Sequence, residues 1–252
     1  MFLFGGAAVT LAEPLDSQTI VSLEQTRASG VPEAILKRVL AAASDHSLPN
    51  KDLAALLVIL REAQQEDIPV APLAAKVEEG LVKHVPPEVI IRVLRQKCGD
   101  YRFVRQIFMN TDAAKSGSRL SADDFTRLVT SLDAGLTRQE LQEFITSAPV
   151  APPPMLARAV EVFALLRQIN YDATLARDVL YTGLSHQSFT QPWTYLARVV
   201  SAARKRGISD HKIAAAASEA LEQERPMRDF MTTIGFTSRD MRHGPARGGQ
   251  IK

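Results

Sequence analysis

The stretch that decides the fold is Glu79-Gly80-Leu81-Val82-Lys83-His84-Val85-Pro86-Pro87. Gly80 follows an apolar-periodic run, and glycine readily adopts the left-handed conformation that closes a helix. Val85 is an apolar anchor that can pack back on the following helix, and Pro86 has the fixed φ of a first helical turn. The stretch therefore predicts the end of one helix, a tight connection and the start of the next.

The same order of residue types, a turn-former, an apolar anchor and a proline or N-capping residue, recurs along the chain. The other copies are Gly30-Val31-Pro32, Ser47-Leu48-Pro49, Asp67-Ile68-Pro69, Gly135-Leu136-Thr137, Asn170-Tyr171-Asp172 and Gly207-Ile208-Ser209. Alternate anchors are spaced by roughly 35 residues or twice that, and such a period split in two is typical of stacked helical hairpins. We therefore predict an all-α, α-solenoid-like fold of about twelve helices.

The two halves of the chain also resemble each other. Gly30-Val31-Pro32 corresponds to Gly135-Leu136-Thr137, and Gly80-Leu81 corresponds to Gly183-Leu184, at offsets that differ by a few residues. This correspondence predicts an internal duplication. The alternative, that any all-helical chain aligns with itself this well, stays open.

These patterns predict five segments. They are a truncated signal peptide at 1–12, an N-terminal helical half at 16–110, a polar loop at 111–119, a C-terminal helical half at 120–224 and a basic, largely disordered tail at 225–252. The tail holds six basic residues against two acidic ones, which accounts for much of the sequence pI of about 8.7.

Composition excludes several classes of protein. With 252 residues, 46% apolar and 23% charged, the chain is that of a globular protein and not of a disordered one. The formal net charge is only +2, so we expect no nucleic-acid partner. Cys98 is the only cysteine, which excludes an intramolecular disulfide and a cysteine-based metal cluster.

The run from Met1 to Ala12 is apolar and has the length of a signal-peptide core, although it lacks the usual Lys or Arg at its start. The alternative is a buried N-terminal arm. The run is too short to span a bilayer, and no later run without charges is long enough. We therefore expect a periplasmic or otherwise exported protein with no transmembrane segment in the mature chain, a cytoplasmic location being the alternative.

No motif for chemistry stands out in the sequence. None of the five histidines has a second His or a carboxylate at metal-ligand spacing, and no Gly-x-Ser-x-Gly, phosphate-binding or dinucleotide-binding pattern occurs. We therefore predict no catalytic residue, no metal and no cofactor, and an enzyme is the less favoured class.

Four residues are candidates for binding: Lys83, His84, His186 and Trp193. Lys83 and His84 are unexplained by the helix connection, and His186 follows Gly183 as His84 follows Gly80. Trp193 begins a helix and could line a ligand groove. For the histidines the competing interpretation is a polar residue at a helix end, and for Trp193 it is a buried packing anchor. Arg92, Arg95 and Lys97 favour a solvated helix face over a phosphate site.

The pattern Glu79-Gly80-Leu-x-Lys83-x-Val85-Pro86-Pro87 resembles a helical repeat of uncharacterised exported bacterial proteins. The resemblance covers about residues 30–98, and the later copies carry Thr137, Asp172 and Ser209 in place of prolines. That family has no known activity, so the resemblance implies a fold and an exported location but no functional residue.

Three hypotheses of function follow. The first is a non-catalytic helical-repeat scaffold that presents its surface to a protein or cell-envelope partner. The second is an enzyme or small-ligand protein with a pocket between the two halves, near Lys83, His84 and His186. The third is a cytosolic regulatory interaction protein.

Overall fold

The computed structural model describes residues 14–236, and every regular element within that range is helical, which confirms the all-α fold of stacked helical hairpins. The helices are α1 (Ser17–Ala28), α2 (Glu33–Asp45), α3 (Asn50–Gln65), α4 (Val70–Val82), α5 (Pro87–Met109), α6 (Asp112–Lys115), α7 (Ala122–Asp133), α8 (Arg138–Ser147), α9 (Pro153–Gln168), α10 (Ala173–Ser185), the 3₁₀ turn η1 (Gln191–Tyr195), α11 (Leu196–Lys205), α12 (Asp210–Glu222) and α13 (Met227–Thr233).

The described part of the chain divides into two compact units, the first ending at Tyr101 and the second beginning at Arg102. The division falls within α5, before the predicted loop at 111–119. In the first unit α1 packs on α3 and α2 packs on α4. In the second unit α7 packs on α9 and α10 packs on α12. Alternate helices therefore lie side by side in each unit, as expected of stacked hairpins.

Most of the helix connections share one geometry. A residue with positive φ lies just after the helix, and the N–H of the next residue donates to a carbonyl of the last helical turn, which is the Schellman pattern. After α4 the left-handed residue is His84, with φ of 52°, and the Val85 N–H donates to the Gly80 carbonyl at 2.9 Å. The prediction that Gly80 itself is left-handed is therefore wrong, because Gly80 lies inside α4.

Gly80 instead allows close packing. A Cβ added to it would lie 2.8 Å from Cδ1 and Cγ1 of Ile90, so only glycine fits without a shift of that side chain. Gly183 has the same function inside α10, where an added Cβ would lie 3.1 Å from Phe189 and 3.2 Å from Leu221. The two glycines that the sequence aligns are thus also alike in structure.

Side-chain hydrogen bonds between alternate helices join residues about one repeat apart in sequence. The pairs are Arg38–Glu78, Arg61–Gln25, Arg127–Glu161 and Arg177–Glu143, separated by 40, 36, 34 and 34 residues along the chain. Residues one period apart therefore face each other on neighbouring helices.

Helix α5 is continuous from Pro87 to Met109. Leu94, Cys98 and Tyr101 are buried and keep helical spacing across Gly99. A glycine inside a helix costs only about 1 kcal/mol relative to alanine, and continued burial of this stripe offsets that cost.

Two further elements fall in segments that were predicted to be irregular. The four-residue α6 lies in the loop 111–119, and α13 lies in the tail 225–252, where Phe230 and Phe236 are buried. The predicted signal peptide at 1–12 and the tail beyond residue 236 lie outside the described residues.

Candidate functional site

Lys83 is the C-cap of α4, and its side chain is 64% exposed. Its Nζ donates to Glu79 at 2.5 Å, and Lys76 donates to the same carboxylate at 2.7 Å. Hydrogen bonds from these two lysines lower the pKa of Glu79 to about 2. The three side chains form a charged rim with a net positive charge along the outer face of α4.

This rim borders an apolar depression between α4 and α5, which we call the α4–α5 groove. It has a volume of about 300 Å³ and is lined by Lys76, Glu79, Gly80, Lys83, Val85, Val89, Ile90, Val93 and Leu94. Val93 is 40% exposed, and Val82 beside Lys83 is 62% exposed. Branched apolar side chains in contact with solvent are typical of surfaces that bind another molecule.

His84 does not line the groove. Its left-handed backbone turns the chain out of α4, and its ring contacts the ring of His46 with centroids 5.6 Å apart and planes at 73°. His46 is the C-cap of α2, which packs beside α4. His46 was not among the residues predicted from the sequence. It lies about one repeat before His84, and this spacing predicts that the two residues face each other.

His186 occupies a different place from His84. It is the C-cap of α10, with φ of −88°, and the left-handed residue of this connection is Gln187, with φ of 50°. Counted from Gly80 in α4 and from Gly183 in α10, His186 therefore corresponds to Lys83, and Gln187 corresponds to His84. The structure does not repeat the histidine at this position in the second unit.

Trp193 lies in η1 and is fully buried. Its ring stacks on Phe230 with centroids 5.5 Å apart and lies 6.3 Å from the ring of Phe189. Its Nε1 has no hydrogen-bond partner. The structure therefore places Trp193 in the core of the second unit, as the packing anchor and not as the lining of a groove.

The basic cluster at residues 204–206 is structural. Arg204 donates two hydrogen bonds to the Asp210 carboxylate, at 2.6 and 2.8 Å, and one each to the carbonyls of Ile169 and Asn170. It thereby ties the carboxyl end of α9 to the first turn of α12. These bonds raise the pKa of Arg204 and lower that of Asp210. The carbonyls of Ile169 and Asn170 lie about one repeat away from Arg204 in sequence, whereas Asp210 lies six residues away.

The outer face of α5 is only partly exposed to solvent, whereas the sequence predicted a solvated face. Arg92 and Arg95 are exposed, but Lys97 is buried beside Asp100, with Nζ and Oδ2 3.9 Å apart. Burial lowers the pKa of Lys97, and the negative charge of Asp100 opposes that shift. The expectation of a solvated face is therefore wrong for Lys97.

Arg92 and Arg95 line a wide cleft between α3 and α5, with a volume of about 770 Å³. Lys51 lines the same cleft, but so do the carboxylates Asp52 and Glu88. Carboxylates repel a phosphate group, so this mixture of charges is poorly suited to phosphate. The cleft thus agrees with the solvated-surface interpretation of the two arginines.

Among residues 14–236 no group of three or more His, Cys, Asp or Glu side chains is placed to hold a metal ion. Over the same range no helix is long and apolar enough to cross a bilayer. No family model matches the chain, and no curated protein or solved structure is significantly similar to it.

Proposed function

We propose that this chain is a non-catalytic helical-repeat protein that binds a protein partner in the bacterial cell envelope, with the α4–α5 groove as its docking surface. The observation that carries the proposal is the groove itself, whose apolar lining reaches solvent at Val93. The resemblance of residues 79–87 to repeats of exported bacterial proteins supports the location.

The groove has the chemistry of a peptide-binding surface. Val85, Val89 and Val93 offer apolar contact area along one side, and the two lysines around Glu79 supply charge on the other. A short apolar segment with an acidic residue at its edge fits both features, because burial of its apolar side chains gives affinity and the charged rim gives orientation.

Site-specific photo-crosslinking tests the proposal. A photoreactive amino acid at Val93 should crosslink a partner in the native envelope, whereas the same residue at Val150 should not. Val150 is a matched control because it is 64% exposed, also apolar and located in the second unit. Equal crosslinking from both positions would contradict the assignment of the groove.

Charge substitutions provide the second test. Val93→Glu should abolish affinity capture of the partner from native envelope, and Val150→Glu should leave capture unchanged, because only the former places a carboxylate in the apolar groove. The variant Lys83→Ala tests the rim, and we expect it to weaken capture without abolishing it. Capture that survives Val93→Glu would overturn the proposal.

Location has its own test. N-terminal sequencing of the mature protein should show removal of residues through Ala12, and an intact Met1 would favour a cytosolic regulator. An enzyme or small-ligand protein with a pocket between the two halves stays the alternative prediction.

A further inference from the structure

The His46–His84 pair stands at one end of two neighbouring helices. His46 is the C-cap of α2 and His84 directly follows the C-cap of α4. The two helices pack together and are also linked by Arg38 and Glu78, whose side chains are 2.7 Å apart. The two imidazoles are therefore held close by the packing of the first unit.

Their separation fits one shared metal ion. Two imidazoles that bind one tetrahedral ion through nitrogens at about 2.0–2.1 Å have ring centroids roughly 5 Å apart. The centroids of His46 and His84 are 5.6 Å apart, which is close to that separation. His84 is exposed and His46 is half-buried, so an ion reaches both from solvent.

The surroundings favour a cation. The carboxyl ends of α2 and α4 both lie at this pair, and each helix end carries a partial negative charge. Among the adjacent charged side chains, Asp45 precedes His46, and Lys83 precedes His84 but has its ammonium group on Glu79 at 2.5 Å.

The backbone does not require histidine at position 84. The other non-glycine residues with positive φ in residues 14–236 are Ser47, Asp67, Asn170, Gln187 and Glu224. Any of these types tolerates the conformation, and asparagine and glycine favour it. The backbone conformation therefore does not explain why both positions hold imidazoles.

We propose that His46 and His84 bind one divalent transition-metal ion, with water or an external ligand in its remaining coordination positions. Imidazole nitrogen suits Cu²⁺, Ni²⁺ and Zn²⁺, and among these Cu²⁺ binds most tightly to a given set of ligands. At the corresponding connection of the second unit Gln187 stands in the place of His84. The proposal is independent of the α4–α5 groove.

Calorimetric titration of the full chain, free of any affinity tag, with CuCl₂ and with ZnCl₂ tests the site. We expect one ion per chain, bound more tightly for Cu²⁺. His46→Asn or His84→Asn should weaken binding on the order of a hundredfold, because each turns a chelate into a single-ligand site. His186→Asn is the matched control and should leave the affinity unchanged. His243 is common to all these chains and gives the same background.

Asparagine keeps the left-handed turn at position 84, and circular dichroism checks that each variant is folded. Electron paramagnetic resonance of the native chain with one equivalent of Cu²⁺ gives a readout that needs no variant, and we expect two imidazole nitrogens bound to copper. Equal affinity of the native chain and the His46→Asn, His84→Asn double variant, or a spectrum without two imidazole nitrogens, would overturn the proposal.

Discussion

The connection after α4 and the connection after α10 begin alike and end differently. In each, a packed glycine precedes a left-handed residue by four positions, Gly80 before His84 and Gly183 before Gln187. After α10 the chain places Phe189 in the core, together with Trp193, which lies in η1. After α4 the chain enters α5 directly.

The two units differ in what lies around this glycine. In the second unit Phe189 lies against Gly183, Trp193 stacks on Phe230, and all three aromatic side chains are fully buried. In the first unit Gly80 packs on Ile90 and lines the α4–α5 groove, where Val93 is 40% exposed. The same helix connection thus leads into an aromatic core in one unit and borders an apolar groove in the other.

Truncation of the aromatic core should give the largest effect. We expect Trp193→Ala to lower the free energy of unfolding by about 3–5 kcal/mol, because it leaves a large cavity beside Phe230. Val93→Ala in the groove should cost less than about 0.5 kcal/mol, because the side chain is partly in solvent already. Urea unfolding monitored by circular dichroism measures both. Similar costs for the two variants would show that the aromatic cluster does not fill the core as described.

The two packed glycines should differ in their tolerance of a methyl group. Gly183→Ala should cost about 1–3 kcal/mol, because Phe189 and Leu221 are fully buried and have no space to move. Gly80→Ala should cost less than about 1 kcal/mol despite its shorter contact, because Ile90 borders the groove and its Cδ1 can turn into that space. Alanine also gains helix propensity at both sites.

The same urea titrations measure the glycine variants. A larger loss for Gly80→Ala would mean that Ile90 is as rigidly held as Phe189, and the groove would then not be adaptable.

Much of the fold could be predicted from the sequence because the signals are local. The positions of the connections follow from a turn-former, an apolar anchor and a proline or capping residue within three positions. The exact left-handed residue could not be predicted, because Gly80 and His84 lie within one turn and periodicity does not separate a packed glycine from a closing one. The structure resolves this by showing Ile90 against Gly80.

The groove could not be predicted, because its existence depends on what fills the space beside a glycine. In the second unit the aromatic cluster around Trp193 includes Phe230. This residue lies on α13, in a segment that the sequence predicted to be part of the tail. The contact between His46 and His84 could have been predicted from the repeat, since residues one repeat apart face each other on alternate helices. Lys83 was found from the sequence, and its place at the edge of an apolar groove was not.

The left-handed positions should respond alike in the two units. We expect His84→Gly and Gln187→Gly each to raise the free energy of unfolding by about 0.5–1 kcal/mol, because glycine removes the cost of positive φ but adds freedom to the unfolded chain. Thermal unfolding measures both. Gly135→Ala is the reverse control and should destabilise, because its φ is 98°. A gain in stability at only one of the two sites would show that the two connections already differ at the left-handed residue, before the apolar residue that follows it.

Among these predictions, the charged rim of the groove should have the smallest effect on the free energy of unfolding, and this effect should depend on pH. Glu79 has a folded-state pKa of about 2 against an ordinary value of 4.5, so the unfolded chain binds its proton first as the pH falls. Its stabilising contribution is therefore complete above about pH 4.5 and is lost as the pH falls toward 2.

Thr182, the residue just before Gly183, corresponds to Glu79 and carries no charge, so the second unit has no carboxylate at this position. Urea unfolding near pH 6 should give slightly different free energies of unfolding for the native chain and for Glu79→Gln. This difference should vanish at the acidic end of the pH range. It should also vanish in 1 M NaCl, because the lysine pairs are exposed and screened by salt. Glu62→Gln is the control, since Glu62 has no ion pair within the described part of the chain. A difference between native chain and Glu79→Gln that persists in high salt would mean that Glu79 acts through packing and not through its charge.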